Sequence, residues 1–90
     1  MSDEAVIFVG KKPFMNYVTG VVLQFNNGVK KVVVKARGKY ISRAVDVAEV
    51  VRNRFVKDAK IEDIRIGSEE FEGEGGKKVK ISTIEIVLSK

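Results

Sequence analysis

Apolar residues along this chain follow two alternating rhythms. Ala5-Val6-Ile7-Phe8-Val9 is a continuous apolar run closed by Gly10. It is too short for a helix and predicts a buried strand. Lys11-Lys12-Pro13 follows, and Pro13 suits the first turn of a helix, where its missing N–H costs nothing. Phe14, Val18, Val21, Val22 and Phe25 then recur at spacings of three and four, with Asn16, Gly20, Gln24 and Asn27 along the other side. This stripe predicts a first helix, which Asn26-Asn27-Gly28 stops.

Val29 to Arg37 predicts a second strand. Val32, Val34 and Ala36 would face one layer, and Lys31, Lys35 and Arg37 the other. Gly38 ends it. A second helix is expected from about Ser42 to Phe55. On a helical wheel Ile41, Ala44, Val45, Ala48, Val51 and Phe55 share one arc, while Val47 and Val50 widen it toward the opposite side. Apolar surface on more than one side of a helix suggests a second contact, such as a subunit interface. Arg52, near the apolar arc, is expected to snorkel or to pair with a carboxylate.

Ile61 to Ile66 begins a third strand with Ile64 and Ile66 on one face, and Glu69-Glu70-Phe71-Glu72 prolongs it. Gly73-Glu74-Gly75-Gly76-Lys77 is a turn-forming tip, and Lys78 to Leu88 returns as a fourth strand. Val79 and Ile81 are odd-numbered, whereas Ile84, Ile86 and Leu88 are even. The side chains therefore switch faces near Ser82-Thr83, where either a bulge or the departure of the hairpin from the core would account for it. The outer half of the hairpin is expected to project as an arm. The order β-α-β-α-β-β is an α/β pattern, an α+β two-layer sandwich with two helices on one sheet. Residues 1–90 are expected to form one domain.

Composition removes several functional classes. The chain has no cysteine and no histidine, so it lacks a thiolate, the commonest general base and the usual nitrogen ligand for zinc. We expect no metal site and no cofactor. Met1-Ser2-Asp3-Glu4 starts acidic with no long apolar run after it, which predicts no signal peptide, no membrane span and a cytoplasmic protein.

Charge adds a direction. From Ala5 to Val45 there are eight Lys or Arg (Lys11, Lys12, Lys30, Lys31, Lys35, Arg37, Lys39, Arg43) and no acid, whereas Asp46 to Lys90 holds nine bases against ten acids. Such asymmetry fits a polyanionic partner, and a solvated basic face equally well. Lys11 and Lys12 lie between a strand end and a helix start, where ammonium groups and free N–H groups together attract phosphate. Arg37, Lys39 and Arg43 surround Gly38, which allows close backbone approach, and arginine grips phosphate bidentately. Asn16 offers an amide to phosphate or sugar, while Tyr17 reads equally well as core. The glycine-rich tip lacks the spacing and the Lys-Ser/Thr ending of a nucleotide-binding P-loop. A metal-dependent nuclease would draw on Glu62, Asp63, Glu69 and Glu70, but neighbouring acids in a strand point to opposite faces and do not converge.

Gly10-Lys11-Lys12-Pro13-Phe14-Met15-Asn16-Tyr17-Val18 resembles the opening motif of the Alba family of small archaeal chromatin proteins. Lys35 to Asp46 (Lys-Ala-Arg-Gly-Lys-Tyr-Ile-Ser-Arg-Ala-Val-Asp) resembles its second motif. Val51-Arg52-Asn53-Arg54-Phe55 and Ser82-Thr83-Ile84-Glu85-Ile86 extend the match over essentially the whole chain. The resemblance implies a homodimer that binds double-stranded DNA and RNA with little sequence preference, compacting DNA on the chromosome or nucleoid. It implies that the dimer body sits over the major groove while the arms reach toward flanking minor grooves. It assigns nucleic-acid contacts to Lys11, Lys12, Arg37, Lys39 and Arg43, acetylation to Lys11 or its neighbour, and a side-by-side packing contact between dimers to Phe55. An acetyltransferase and a deacetylase would then be further partners. On the arm, the acidic Glu69-Glu70-Phe71-Glu72 stretch leaves Lys77, Lys78 and Lys80 to meet phosphate. An RNA-binding accessory subunit of an RNA-processing particle is the alternative function on the same fold.

Overall fold

The computed structural model describes residues 4–90. The acidic start Met1-Ser2-Asp3, used above to argue against a signal peptide, lies outside them. Strand β1 (Glu4–Phe8), helix α1 (Phe14–Asn26), strand β2 (Lys31–Arg37), helix α2 (Ile41–Val50) and strands β3 (Lys60–Glu72) and β4 (Lys78–Ser89) follow the expected order. A 3₁₀ turn, Gly38–Tyr40, leads into α2, and a π-helical turn, Val51–Phe55, continues it. The sheet order is β1-β2-β4-β3. β1 and β2 are parallel, and β4 runs antiparallel to both of its neighbours.

Both helices cover one face of this sheet. Val32, Val34, Ala36, Ile84, Ile86 and Leu88 point into the layer between them. There they meet Val18, Val21 and Phe25 of α1 and Ala44, Val47 and Ala48 of α2. Removing each of the larger side chains from water contributes about 1.5–3 kcal/mol. Helix α1 stops where expected: Gly28 turns left-handed at φ 92°, and Val29 N–H returns to the Gln24 carbonyl at 3.1 Å. Its N-cap is Pro13, one residue before the first helical position.

The structure corrects three expectations. The β1 run is not a buried strand. It is the sheet edge, and only alternate residues, Ala5 and Ile7, pack on the core, while Val6 and Phe8 face outward. A continuous apolar run does not distinguish an interior strand from a half-covered edge. The buried arc of α2 is rotated: Val47 is fully buried, whereas Val45 and Phe55 are exposed. The helix is also not α-helical to Phe55. Val56 N–H bonds to the Val51 carbonyl at 2.7 Å, five residues back. This wider turn brings Val51 and Val56 to the same buried side and leaves Phe55 outside. Of the two explanations open for the parity switch in β4, a bulge is excluded: β4 pairs with β3 in unbroken register through Ser82 and Thr83, and the register shift lies between Ile61 and Asp63 of β3.

The switch of apolar parity in β4 marks the departure of the hairpin from the core, as the second of the two explanations required. Strand β2 pairs with β4 only from Lys31↔Ser89 to Arg37↔Thr83. Beyond that, Ser68↔Ser82 to Glu72↔Lys78 pair only with each other. The five outer pairs extend the arm by roughly 17 Å at strand rise, in a molecule of 47 × 27 × 20 Å.

No helix covers the second face of the sheet, yet Val33 and Val87 on it are only 3% and 4% exposed. Long charged side chains lie over them as linked ion pairs. Lys35 meets Glu85 at 2.9 Å, Arg65 bridges Glu85 at 3.6 Å and Asp63 at 2.9 Å, and Lys31 meets Glu62 at 2.9 Å. Aliphatic stems close the face while the charged heads stay in water. The hydrogen bond from Lys35, with the Lys35 and Arg65 charges, holds the Glu85 carboxyl below its ordinary value. The hydrogen bond and charge of Asp63 raise the Arg65 guanidinium.

Candidate nucleic-acid interface

Parallel pairing of β1 and β2 brings their C-terminal ends side by side, with Phe8 opposite Lys35 and Val9 N–H on the Lys35 carbonyl at 2.8 Å. The chain leaves those two ends as Gly10-Lys11-Lys12-Pro13 and as Gly38-Lys39-Tyr40. Residues more than twenty positions apart thus share one edge. Lys11, Lys12, Asn16, Arg37 and Lys39 are all exposed there, and Arg43 joins them from the first turn of α2.

Two side chains fix the lysine loop from opposite sides. Lys12 N–H donates to Tyr17 Oη at 2.9 Å, and Arg43 Nη1 donates to the Gly10 carbonyl at 2.8 Å. The Arg43 guanidinium also lies over the Tyr17 ring, 5.8 Å from its centre. Tyr17 is 8% exposed, so its ring is core, as one sequence reading had it, while its hydroxyl serves the loop. Lys11 is therefore held at both flanks with its ammonium free to meet solvent. Sequence spacing could not reveal this, because the Gly10–Arg43 contact spans 33 positions.

Gly38 is left-handed at φ 59°, and a Cβ placed there would come within 2.8 Å of Ile81 Cδ1. Its lack of a side chain thus lets the root of the arm pack against the turn before α2. That is a different use from the close approach of phosphate expected of it.

Other sequence-selected residues lie elsewhere. Lys78 and Lys80 stand opposite Glu72 and Glu70 on the arm, and Lys78 Nζ is 3.8 Å from Glu70. Lys77 is at the hairpin tip, where its carbonyl accepts from Gly73 N–H. From Glu69 to Lys80 the arm holds four acids (Glu69, Glu70, Glu72, Glu74) and three lysines, so it adds little net attraction for phosphate. Phe55 is half exposed at the far end of the α2 helix, roughly 20 Å from its start. Arg52 pairs with Glu49 at 2.7 Å, as expected. Phe8, overlooked as core, is 72% exposed beside the lysine loop.

Another exposed feature lies on β3. Ile64 and Ile66 stand opposite Ile86 and Ile84 on the helix-covered face, but the helices do not reach them. Ile66 is 83% exposed. Ile61, Ile64 and Ile66 thus leave an apolar strip along the strand. Among the described residues no helix is long and apolar enough to cross a membrane.

The family model described as Alba matches residues 5–68. The DNA/RNA-binding protein Alba of Thermoplasma volcanium is 57% identical over the full length of both chains. The DNA/RNA-binding protein Alba 1 of Archaeoglobus fulgidus is 53% identical over 97% of each. Among solved structures, Alba from Thermoplasma volcanium superposes with a TM-score of 0.89 at 58% identity, covering 94% of this chain and 99% of that one. ALBA1 from Trypanosoma brucei shares the fold, with a TM-score of 0.77 at 24% identity over 94% of this chain and 68% of that one.

Proposed function

The chain belongs to the Alba family, and from that membership and the cationic edge we propose that it binds double-stranded DNA and RNA without sequence preference. The observation that carries this reading is the lysine loop, pinned by Tyr17 and Arg43 on the half of the chain whose acid-free span collects the positive charge. Lys11 and Lys12 are its central phosphate contacts. Arg37 and Lys39 extend it, Asn16 adds an amide, and Arg43 acts at least through the loop it holds. Cations of this kind release counterions and bind any duplex, so the affinity is steeply salt-dependent. Lys77, Lys78 and Lys80 of the arm act as secondary contacts, weakened by the opposing glutamates.

The apolar strip Ile61, Ile64 and Ile66, with exposed Val45 on α2, supports a homodimer in which a second copy completes the helix layer over β3. Phe55, exposed at the end of α2, then joins one dimer to the next along the duplex. Residues 1–90 act as one binding domain without catalytic chemistry, at the nucleoid, in chromatin architecture, DNA compaction and RNA stabilisation. Acetylation of Lys11 would remove one charge from the loop and weaken binding, which makes an acetyltransferase and a deacetylase partners.

The test is the salt dependence of duplex affinity. Each lost phosphate contact flattens the slope of log affinity against log salt by about 0.9. Lys11→Ala with Lys12→Ala therefore flattens it by roughly 3.6 per dimer if all four lysines meet phosphate. An unchanged slope would remove the loop from the interface.

A further inference from the structure

Duplex binding leaves the exposed ring of Phe8 unused. An open groove of about 1000 Å³ runs from the lysine loop to the root of the arm, and Phe8, Tyr17 and Tyr40 all line it. These are both tyrosines and one of the five phenylalanines of the chain. Each ring carries a cation: Lys35 Nζ lies 5.7 Å from the centre of Phe8, Lys39 Nζ 5.4 Å from Tyr40, and the Arg43 guanidinium 5.8 Å from Tyr17. No other aromatic–cation pair is found among the described residues. The groove is also cationic. Lys11, Lys35, Arg37 and Arg65 line it against Glu69 and Glu85; Lys35 and Arg65 are paired with Glu85, which leaves Lys11 and Arg37 against Glu69.

Alternating rings and cations along a groove are how proteins hold single strands. The cations follow the phosphates, and the rings stack on bases regardless of sequence. A paired duplex offers its phosphates to such a groove but keeps its bases stacked inside. The three rings are not equal. Tyr17 is buried and its hydroxyl is committed to the loop, and Tyr40 is half-buried. Phe8 alone presents most of its ring, at the end of the edge strand and three residues before Lys11.

We propose that this groove, which shares Lys11 and Arg37 with the duplex-binding edge, also takes an unpaired nucleotide of single-stranded nucleic acid, with its base stacked on Phe8 and its flanking phosphates on Lys11 and Arg37. The inference builds on the phosphate-binding reading of Lys11 and adds a class of ligand to it. Through this site the protein holds frayed, bulged or single-stranded segments that its duplex contacts alone would not favour.

The chain contains no tryptophan, so Phe8→Trp places a single tryptophan at the site, excited selectively over Tyr17 and Tyr40. Its emission is titrated with oligouridylate, oligothymidylate, an abasic strand of equal length and a blunt duplex. Quenching by either base-bearing single strand, with little from the abasic strand or the duplex, is expected and identifies the strand taken. In parallel, Phe8→Leu keeps the edge strand apolar and removes the stacking face. It should weaken single-strand binding about five- to hundredfold, the range for loss of one base–aromatic stack, while duplex affinity stays within about twofold. Equal quenching by the abasic strand, or a Phe8→Leu change that is absent or the same for both ligands, overturns the proposal. The Lys11→Ala, Lys12→Ala protein separates the two readings. If it keeps full affinity for duplex and single strand, phosphate binding at the loop fails and the groove site with it. If it loses both while Phe8→Leu loses neither, the groove site alone fails.

Discussion

Tyr17→Phe should separate the support of the lysine loop from its contact with phosphate. The substitution removes one oxygen, the acceptor of Lys12 N–H at 2.9 Å in a part-buried contact. The ring stays in the core beneath the Arg43 guanidinium, and only the volume of the hydroxyl is lost. A hydrogen bond of this kind contributes about 1 kcal/mol net. For a domain of this size that lowers Tm by roughly 4–8 °C. The same free energy, if spent on ordering the loop when ligand binds, weakens duplex affinity by at most about fivefold per loop. No cation is removed, so the salt slope should equal that of the unmodified protein. Hydrogen exchange at the Lys12 amide should accelerate by a comparable factor. The assays are thermal unfolding, fluorescence anisotropy across a salt series, and amide exchange followed by NMR. Unchanged protection of the Lys12 amide would refute the hydrogen bond as the loop's anchor. A flattened salt slope would refute the separation of support from contact.

Three further outcomes follow from other parts of the molecule. Gly38→Ala forces a left-handed backbone on an L-residue and sets a methyl group 2.8 Å from Ile81 Cδ1; it should cost about 2 kcal/mol, read as a lower midpoint in urea unfolding. If the proposed homodimer forms through the β3 strip, Ile66→Asp should leave a folded monomer, and sedimentation velocity that still reports a dimer would exclude the strip as the interface. Glu85 has a depressed folded pKa, so its contribution to stability is complete above the ordinary 4.5 and is lost as pH falls through the lower folded value; Glu85→Gln should flatten stability against pH in that acid range, and an unaltered profile would rule out the Lys35 and Arg65 pairing as its cause.

Elements whose apolar spacing has one physical solution were legible in the sequence. The α1 stripe, its Gly28 stop, the even-numbered valines of β2 and the projecting hairpin all follow from periodicity and turn chemistry. Edge and rotation were less legible. The β1 run carries no mark of an edge strand, since exposure of Val6 and Phe8 depends on the other strands and helices around it. The exposure of Phe55 at the end of α2 results from the π turn, which trades regular helix geometry for burial of Val56. At the candidate interface, the cations were visible as a charge bias, and their convergence required the parallel pairing of β1 with β2. The roles of Tyr17 and Arg43 were hidden for the same reason: a side chain that binds a distant backbone carbonyl or N–H leaves no local pattern. The parity switch in β4 admitted a bulge or a departure from the core, and only the register decided between them.

The ion-paired face of the sheet bears on how a partner is first met. Each charge over Val33 and Val87 has an opposite neighbour within a few ångströms, so their fields cancel at a distance. Around Lys11 and Arg37 no ion pair forms among the described residues, so less of the charge is cancelled there. The molecule is thus polarised across its body, and a distant polyanion exerts a torque as well as a pull. Most encounters would begin with the lysine edge already turned toward the nucleic acid. Added salt shortens the range over which this turning acts, so it should slow association in addition to weakening the final complex.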